Sequence, residues 1–141
     1  VQIFEDYGTG YSPEHSYYLY LSYMVEGRMR VSLPVKEGVK GIRIDPAETS
    51  CMVRMLAARL NEEELPLSEP AYLAMNGWEL SKKKEANPVF FFHTNDPNIN
   101  IRLEKVEHSG NELLEVEFEI ERLSEETASV LEANLKRRRW F

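Results

Sequence analysis

Apolar residues recur at every second position through most of the chain. The cleanest run is "NELLEVEFEIERL", residues 111 to 123, where Leu114, Val116, Phe118 and Ile120 alternate with Glu115, Glu117, Glu119 and Glu121. This is the pattern of a strand with one buried face; the glutamate face must be wet, because unpartnered carboxylates are too costly to bury. "RMRVSLPV" repeats the pattern, with Met29, Val31 and Leu33 on one face and Arg28, Arg30 and Ser32 on the other. In "GVKGIRIDP", Ile42 and Ile44 point inward. In "SYYLYLSY", Tyr17, Leu19, Leu21 and Tyr23 share one face and Ser16, Tyr18, Tyr20 and Ser22 the other. "VQIFEDY" predicts a first strand closed by a turn at "GTGYSPEHS", and "VFFF" and "INIRLEKV" predict two strands flanking the polar stretch "HTNDPNIN". "CMVRMLAARL" fits two periods: Cys51, Val53 and Met55 alternate while its Met and Ala residues suit a helix, and the alternation favours a strand. Residues 61 to 88 carry the least pattern. Their acidic and lysine runs read as solvated loops, and "YLAMNGWEL" as a short strand or a turn.

The period changes after residue 123. Ser124 is placed as an N-cap, Glu125 and Glu126 occupy the first turn, and Leu123, Thr127, Leu131 and Leu135 repeat every four residues. Lys136, Arg137, Arg138 and Arg139 end the segment where cations suit the helix dipole. That cluster reads as a solvated helix end, with a membrane-surface or partner contact as the alternative. Short strands punctuated by Gly, Pro, Asn and Asp, followed by one helix, predict an all-β fold. The expected architecture is a jelly-roll-like antiparallel β-sandwich over residues 1–123. Residues 124–141 would form a C-terminal α-helix or linker toward a following domain.

A chain of 141 residues suits one domain with its own core. A net charge of −7 argues against general nucleic-acid binding, which needs a basic face. A lone cysteine, Cys51, excludes an internal disulfide and a multi-cysteine zinc site, and it fits a reducing compartment. No run of about 18 apolar residues spans a membrane. The opening "VQIFEDYGTG" lacks an initiator Met and the chain stops abruptly after "LKRRRWF", so a piece of a longer protein is expected.

Candidate chemistry is sparse. "HTNDPNIN" offers one His and one carboxylate, too few for zinc, and lacks the EF-hand spacing; a loop calcium is the lesser alternative to a turn. In the turn reading, Asp96 is held extended before Pro97, and the Asn95 and Asp96 side chains bond nearby backbone N–H groups. His15, His93 and His108 stand in no catalytic spacing, and neither a P-loop nor a dinucleotide fingerprint occurs. No catalytic, cofactor or metal residue is therefore expected. The aromatic content is more suggestive. Tyr18 and Tyr20 lie on one strand face, and Arg28 and Arg30 would stand beside them if the two strands paired. Tyrosines can stack on the apolar face of a sugar ring while arginines bond its hydroxyls. The alternative is that these tyrosines pack under a loop or against another domain.

Three segments, in order, carry a resemblance. "QIFEDYGTGYSPEHS" resembles the Asp-x-Gly-x-Gly-Phe-Ser opening of an accessory β-domain found in large bacterial glycosyltransferases of surface-polysaccharide assembly, including rhamnan and O-antigen enzymes. "GVKGIRIDPAETSCMVRM" and "FFFHTNDPNINI" resemble two later segments of that domain, each with an Asp-Pro strand end. Tyr11 stands where the pattern often has Phe, and Ile44 where it has Leu. The resemblance spans residues 2 to about 103. It implies a non-catalytic module, similar to a carbohydrate-binding module, that precedes a catalytic transferase domain in a cytoplasmic protein, at the inner face of the membrane through its parent. Its implied partners are glycan and that downstream domain. The competing expectations are an interdomain or oligomerisation scaffold without a ligand and, least favoured, a small glycan hydrolase.

Overall fold

The computed structural model describes residues 1–19, 27–81 and 87–139. Eleven strands and a short 3-10 helix, Pro13–His15, precede one α-helix among them. The strands are β1 (Gln2–Asp6), β2 (Ser16–Tyr18), β3 (Arg28–Val35), β4 (Gly41–Asp45), β5 (Cys51–Leu60), β6 (Glu63–Glu64), β7 (Leu73–Met75), β8 (Trp78–Glu79), β9 (Val89–Phe92), β10 (Ile99–Arg102) and β11 (Glu112–Arg122); the helix α1 spans Glu125–Arg139. Two antiparallel sheets form the fold, ordered β2-β1-β4-β10-β7 and β3-β11-β5-β9-β8, with β6 paired to β5. From β3 onward the chain crosses between sheets at nearly every connection, which is the path of a jelly-roll-like sandwich. The expected all-β sandwich with a C-terminal helix is therefore the fold observed. No helix among the described residues is long and apolar enough to cross a membrane.

The inner faces are the alternating apolar positions. Ile3, Ile42, Ile44, Ile99 and Ile101 from the first sheet meet Met29, Val31, Leu33, Val53, Met55, Phe90, Phe92, Leu114, Val116 and Phe118 from the second, all nearly fully buried. Strand β11 pairs with β3 along one side and β5 along the other. The ambiguous segment 51–60 is strand β5. Its helical tint comes from a bulge: Phe118 pairs with Met55 and Glu117 with Ala57, so Leu56 is an extra residue that shifts the inward positions from Met55 to Ala58. The acidic run read as a loop holds β6, and the stretch read as a short strand or a turn holds β7 and β8. Asn61 and Glu62, both at positive φ, make the tight turn that folds β6 back onto β5. Gly77 sits so close to β9 that a Cβ there would lie 2.3 Å from the Phe91 carbonyl oxygen.

Two readings of faces need correction. The glutamate face of β11 is not simply wet: Glu117 is only 13% exposed, because Arg30 donates to it from β3 and Arg59 approaches it from β5. The face is a column of carboxylates between two columns of arginines, with Glu119 standing between Arg28 and Arg54. On α1, Ser124 does cap the helix, its Oγ accepting from the Thr127 N–H at 3.2 Å. Of the row Leu123, Thr127, Leu131 and Leu135, however, Thr127 is exposed. Ala128 is fully buried and Leu131, Glu132 and Leu135 are half-buried, a stripe at helical spacing.

Phe118→Ala should lower stability by about 3–5 kcal/mol through loss of buried surface and the cavity left behind. Glu119→Ala on the opposite face should change it by under about 0.5 kcal/mol. Denaturant unfolding of both variants checks this, and equal losses would mean that the two faces of β11 are reversed.

Candidate functional site

An open groove of about 800 Å³ lies at the end of the first sheet where two Asp-Pro strand ends meet. Strand β4 ends at Asp45, followed by Pro46, and the connection from β9 to β10 carries Asp96 and Pro97. Both aspartates line the groove, with Gln2, Tyr18, Asn95 and Arg122. The sheet explains the convergence. Gln2 of β1 stands opposite Tyr18 of β2 on one side and Asp45 of β4 on the other. Cross-strand neighbours share a face, so Tyr18, Gln2 and Asp45 form one row on the outer surface of the first sheet. The Tyr18 ring is 57% exposed along this row.

Asp45 is held in place from its own strand. Arg43 donates from Nε to Oδ1 and from Nη2 to Oδ2, both at 2.9 Å. The Arg43 guanidinium is itself stacked 4.0 Å above the Phe4 ring, with Tyr11 at 5.6 Å. An arginine fixed by aromatic contacts presents a rigid fork, so the carboxylate it grips is rigid too. Burial pushes the Asp45 carboxyl above its ordinary range, and the Asp96 carboxylate facing it adds to that rise against the lowering by Arg43. The groove thus presents three carboxylates, from Asp45, Glu48 and Asp96, one guanidinium from Arg122, amide groups from Gln2 and Asn95, and one aromatic ring. Such a set accepts hydrogen bonds from hydroxyl groups and offers an apolar face beside them.

The polar stretch that follows β9 divides among separate tasks. Thr94 Oγ1 accepts from the Asp96 N–H at 3.1 Å. Asn76, from the turn between β7 and β8, donates to the Asp96 carbonyl and accepts from the Asn98 N–H, each at 2.9 Å. The turn is therefore held by Thr94 and by a residue far away in sequence, where sequence reasoning placed the Asn95 and Asp96 side chains in that role. His93 points elsewhere, to α1. Among the described residues, no three His, Cys, Asp or Glu side chains gather in a way that would hold a metal ion.

Of the four residues read from the sequence as a glycan platform, Tyr18 alone lines this groove. Tyr20 lies outside the described residues. Arg28 and Arg30 belong to β3, which pairs with β11 in the second sheet, while β2 pairs with β1 in the first. Among the described residues the two strands do not pair, and the Arg30 Nε donates to Glu117 at 2.7 Å. Asp45, Asp96, Gln2 and Asn95 were not read as site residues; the repeated Asp-Pro strand end was the one signal pointing to them.

Asp96→Asn should let Asp45 titrate at lower pH and raise the melting temperature at pH 7, by a gain of at most about 1 kcal/mol for so open a pair. The sign follows from Asp45 being raised in the folded state: its penalty is complete above the folded pKa and is relieved as pH falls through it. The parent should therefore gain stability from this group on acidification toward the ordinary carboxylate range, and the variant should gain less. Carboxyl titration by NMR checks this, and an unmoved Asp45 would contradict it.

Comparison with protein-family models, with curated proteins and with solved structures finds no match to this chain.

Proposed function

We propose that this chain is a non-catalytic accessory domain of a bacterial glycosyltransferase and that the groove beside Tyr18 holds glycan. The observation that carries the reading is the convergence of the three segments that resemble the accessory domain. The first supplies Gln2, the second Asp45 and Pro46, and the third Asn95 and Asp96, all to one groove. Segments separated by tens of residues meet there, next to an exposed tyrosine. A sugar ring laid on Tyr18 would place its hydroxyl rim against carboxylates and amides, the usual partners of hydroxyl donors and acceptors. The role is to position glycan for chemistry performed by another domain of the parent protein. The Asp45–Asp96 pair disfavours anionic sugars, so neutral hydroxyl-rich glycan is the expected class.

A scaffold role is the second reading, favoured by α1. Val130 is 59% exposed on this helix, and Leu131 and Leu135 are only half covered. An exposed valine on a helix that ends the sandwich suits contact with a neighbouring domain.

NMR titration of the domain with neutral fragments of bacterial surface polysaccharide tests the first reading. Shifts should centre on Tyr18, Gln2 and Asn95, with affinity on the order of 0.1–1 mM, because an open groove desolvates few atoms. Tyr18→Ala should weaken binding at least tenfold, the loss of about 1.4 kcal/mol of ring contact. No shifts with any glycan, or shifts confined to α1, would reject the groove in favour of the scaffold.

A further inference from the structure

The junction between the sandwich and α1 is a histidine clasped by two glutamates. His93 follows β9 directly, and its Nε2 lies 2.6 Å from Glu125 Oε1 while its Nδ1 lies 3.3 Å from Glu132 Oε1. The two glutamates stand two helical turns apart on α1, so the imidazole bridges along the helix. A neutral imidazole carries one N–H and one bare lone pair. It can satisfy one carboxylate, and the lone pair then faces the other. The imidazolium donates from both nitrogens and satisfies both. A carboxylate beside each ring nitrogen therefore favours the protonated ring.

We propose that His93 is a proton-operated latch that docks α1 on the second sheet when the ring is charged and loosens it when the proton leaves. The remaining contacts define what the latch controls. The indole Nε1 of Trp78, on β8, lies 3.4 Å from Glu132 Oε2, and Lys136 pairs with Glu132 at 3.2 Å. Trp78 stands opposite Phe91 of β9. Phe91 is fully buried, yet by strand alternation it points away from the inner face that Phe90 and Phe92 occupy. The latch thus closes the helix over the aromatic side of the β8–β9 hairpin, with Ala128 fully buried on the docked stripe. Among the described residues, the charged groups facing the ring are Glu125 and Glu132 from α1; the strand side contributes Trp78, which does not titrate, and Lys136 faces Glu132 rather than the ring.

The linkage has a defined sign. The bond to Glu125 is the first cause raising the His93 pKa above its ordinary value, and the bond to Glu132 adds to it. Docking strength from His93 is complete below the ordinary histidine pKa and is lost as pH rises through the raised one. The bond to His93 lowers the Glu125 carboxyl in turn, so its contribution is present above the ordinary carboxylate pKa and lost as pH falls through the lowered one. The helix should be held most firmly in mildly acidic solution and released toward alkaline pH.

The test is NMR of the whole chain across pH 5 to 9. At pH 6 both ring nitrogens of His93 should carry protons, and its titration midpoint should lie above that of an unpaired histidine. Amide exchange in α1, corrected for the intrinsic pH dependence, should be at least about threefold faster at pH 8.5 than at pH 6. Glu125→Gln should return the midpoint toward the ordinary value and flatten this dependence, while amides of β11 remain protected as proof that the sandwich is intact. His93→Gln should abolish the dependence altogether. A neutral His93 at pH 6, or equal protection of α1 at both pH values, would overturn the latch.

Discussion

Strand β11 is the constraint on which the rest of the molecule depends. It is hydrogen-bonded to β3 on one side and β5 on the other. Its inner column of Leu114, Val116, Phe118 and Ile120 is nearly fully buried. A one-residue slip would drive Glu115, Glu117 and Glu119 into the core and expose the apolar column. The arginines of β3 and β5 reinforce the same register from outside, since Glu117 and Glu119 meet Arg30, Arg28 and Arg54 only in this alignment. The inner surface of the second sheet, once set, is the floor against which the first sheet packs its isoleucines.

The groove and the helix occupy opposite outer surfaces of that frame and inherit their geometry from it. The first sheet turns outward the row of Tyr18, Gln2 and Asp45, and the stacking of Arg43 on Phe4 stiffens one end of it. On the second sheet, β9 leaves Phe91 on the outer side beside Trp78 and delivers His93 at its end, where Glu125 and Glu132 of α1 clasp it. The short segment "FFHTND" therefore serves both surfaces: Phe92 faces the core, His93 holds the helix, and Asp96 lines the groove.

Period-two alternation was sufficient to read the long strands, because each has one face in the core and one in solvent. It failed where another force set the face. In β1, Phe4 points outward under the Arg43 guanidinium, while Glu5 points inward and is closed off by Lys36 at 3.1 Å. Both invert the expected pattern, and neither partner is near in sequence. β6 was hidden, and β7 and β8 were legible only as a short strand or a turn, because strands of two or three residues carry too few alternations to register. On α1 the leucines of the four-residue repeat are half-buried, but the fully buried Ala128 was not legible, because a small residue that approaches the sheet carries little hydrophobic signal. The groove was the least legible feature. Its residues come from five separate stretches, and only the recurrence of Asp-Pro linked any of them. Placing arginines beside Tyr18 required β2 and β3 to pair, and hydrogen-bonding order between distant strands is not written in local periodicity.

The claim that β11 holds the frame, with groove and helix as dependents, is most directly tested by native-state hydrogen exchange in low concentrations of denaturant. Amides of Val116 and Phe118 should exchange only through global unfolding, with the full denaturant dependence of the equilibrium transition. Amides of β2 and α1 should exchange through smaller openings that leave β11 protected. Exchange at Val116 and Phe118 by local opening, with β2 or α1 outlasting them, would contradict the account.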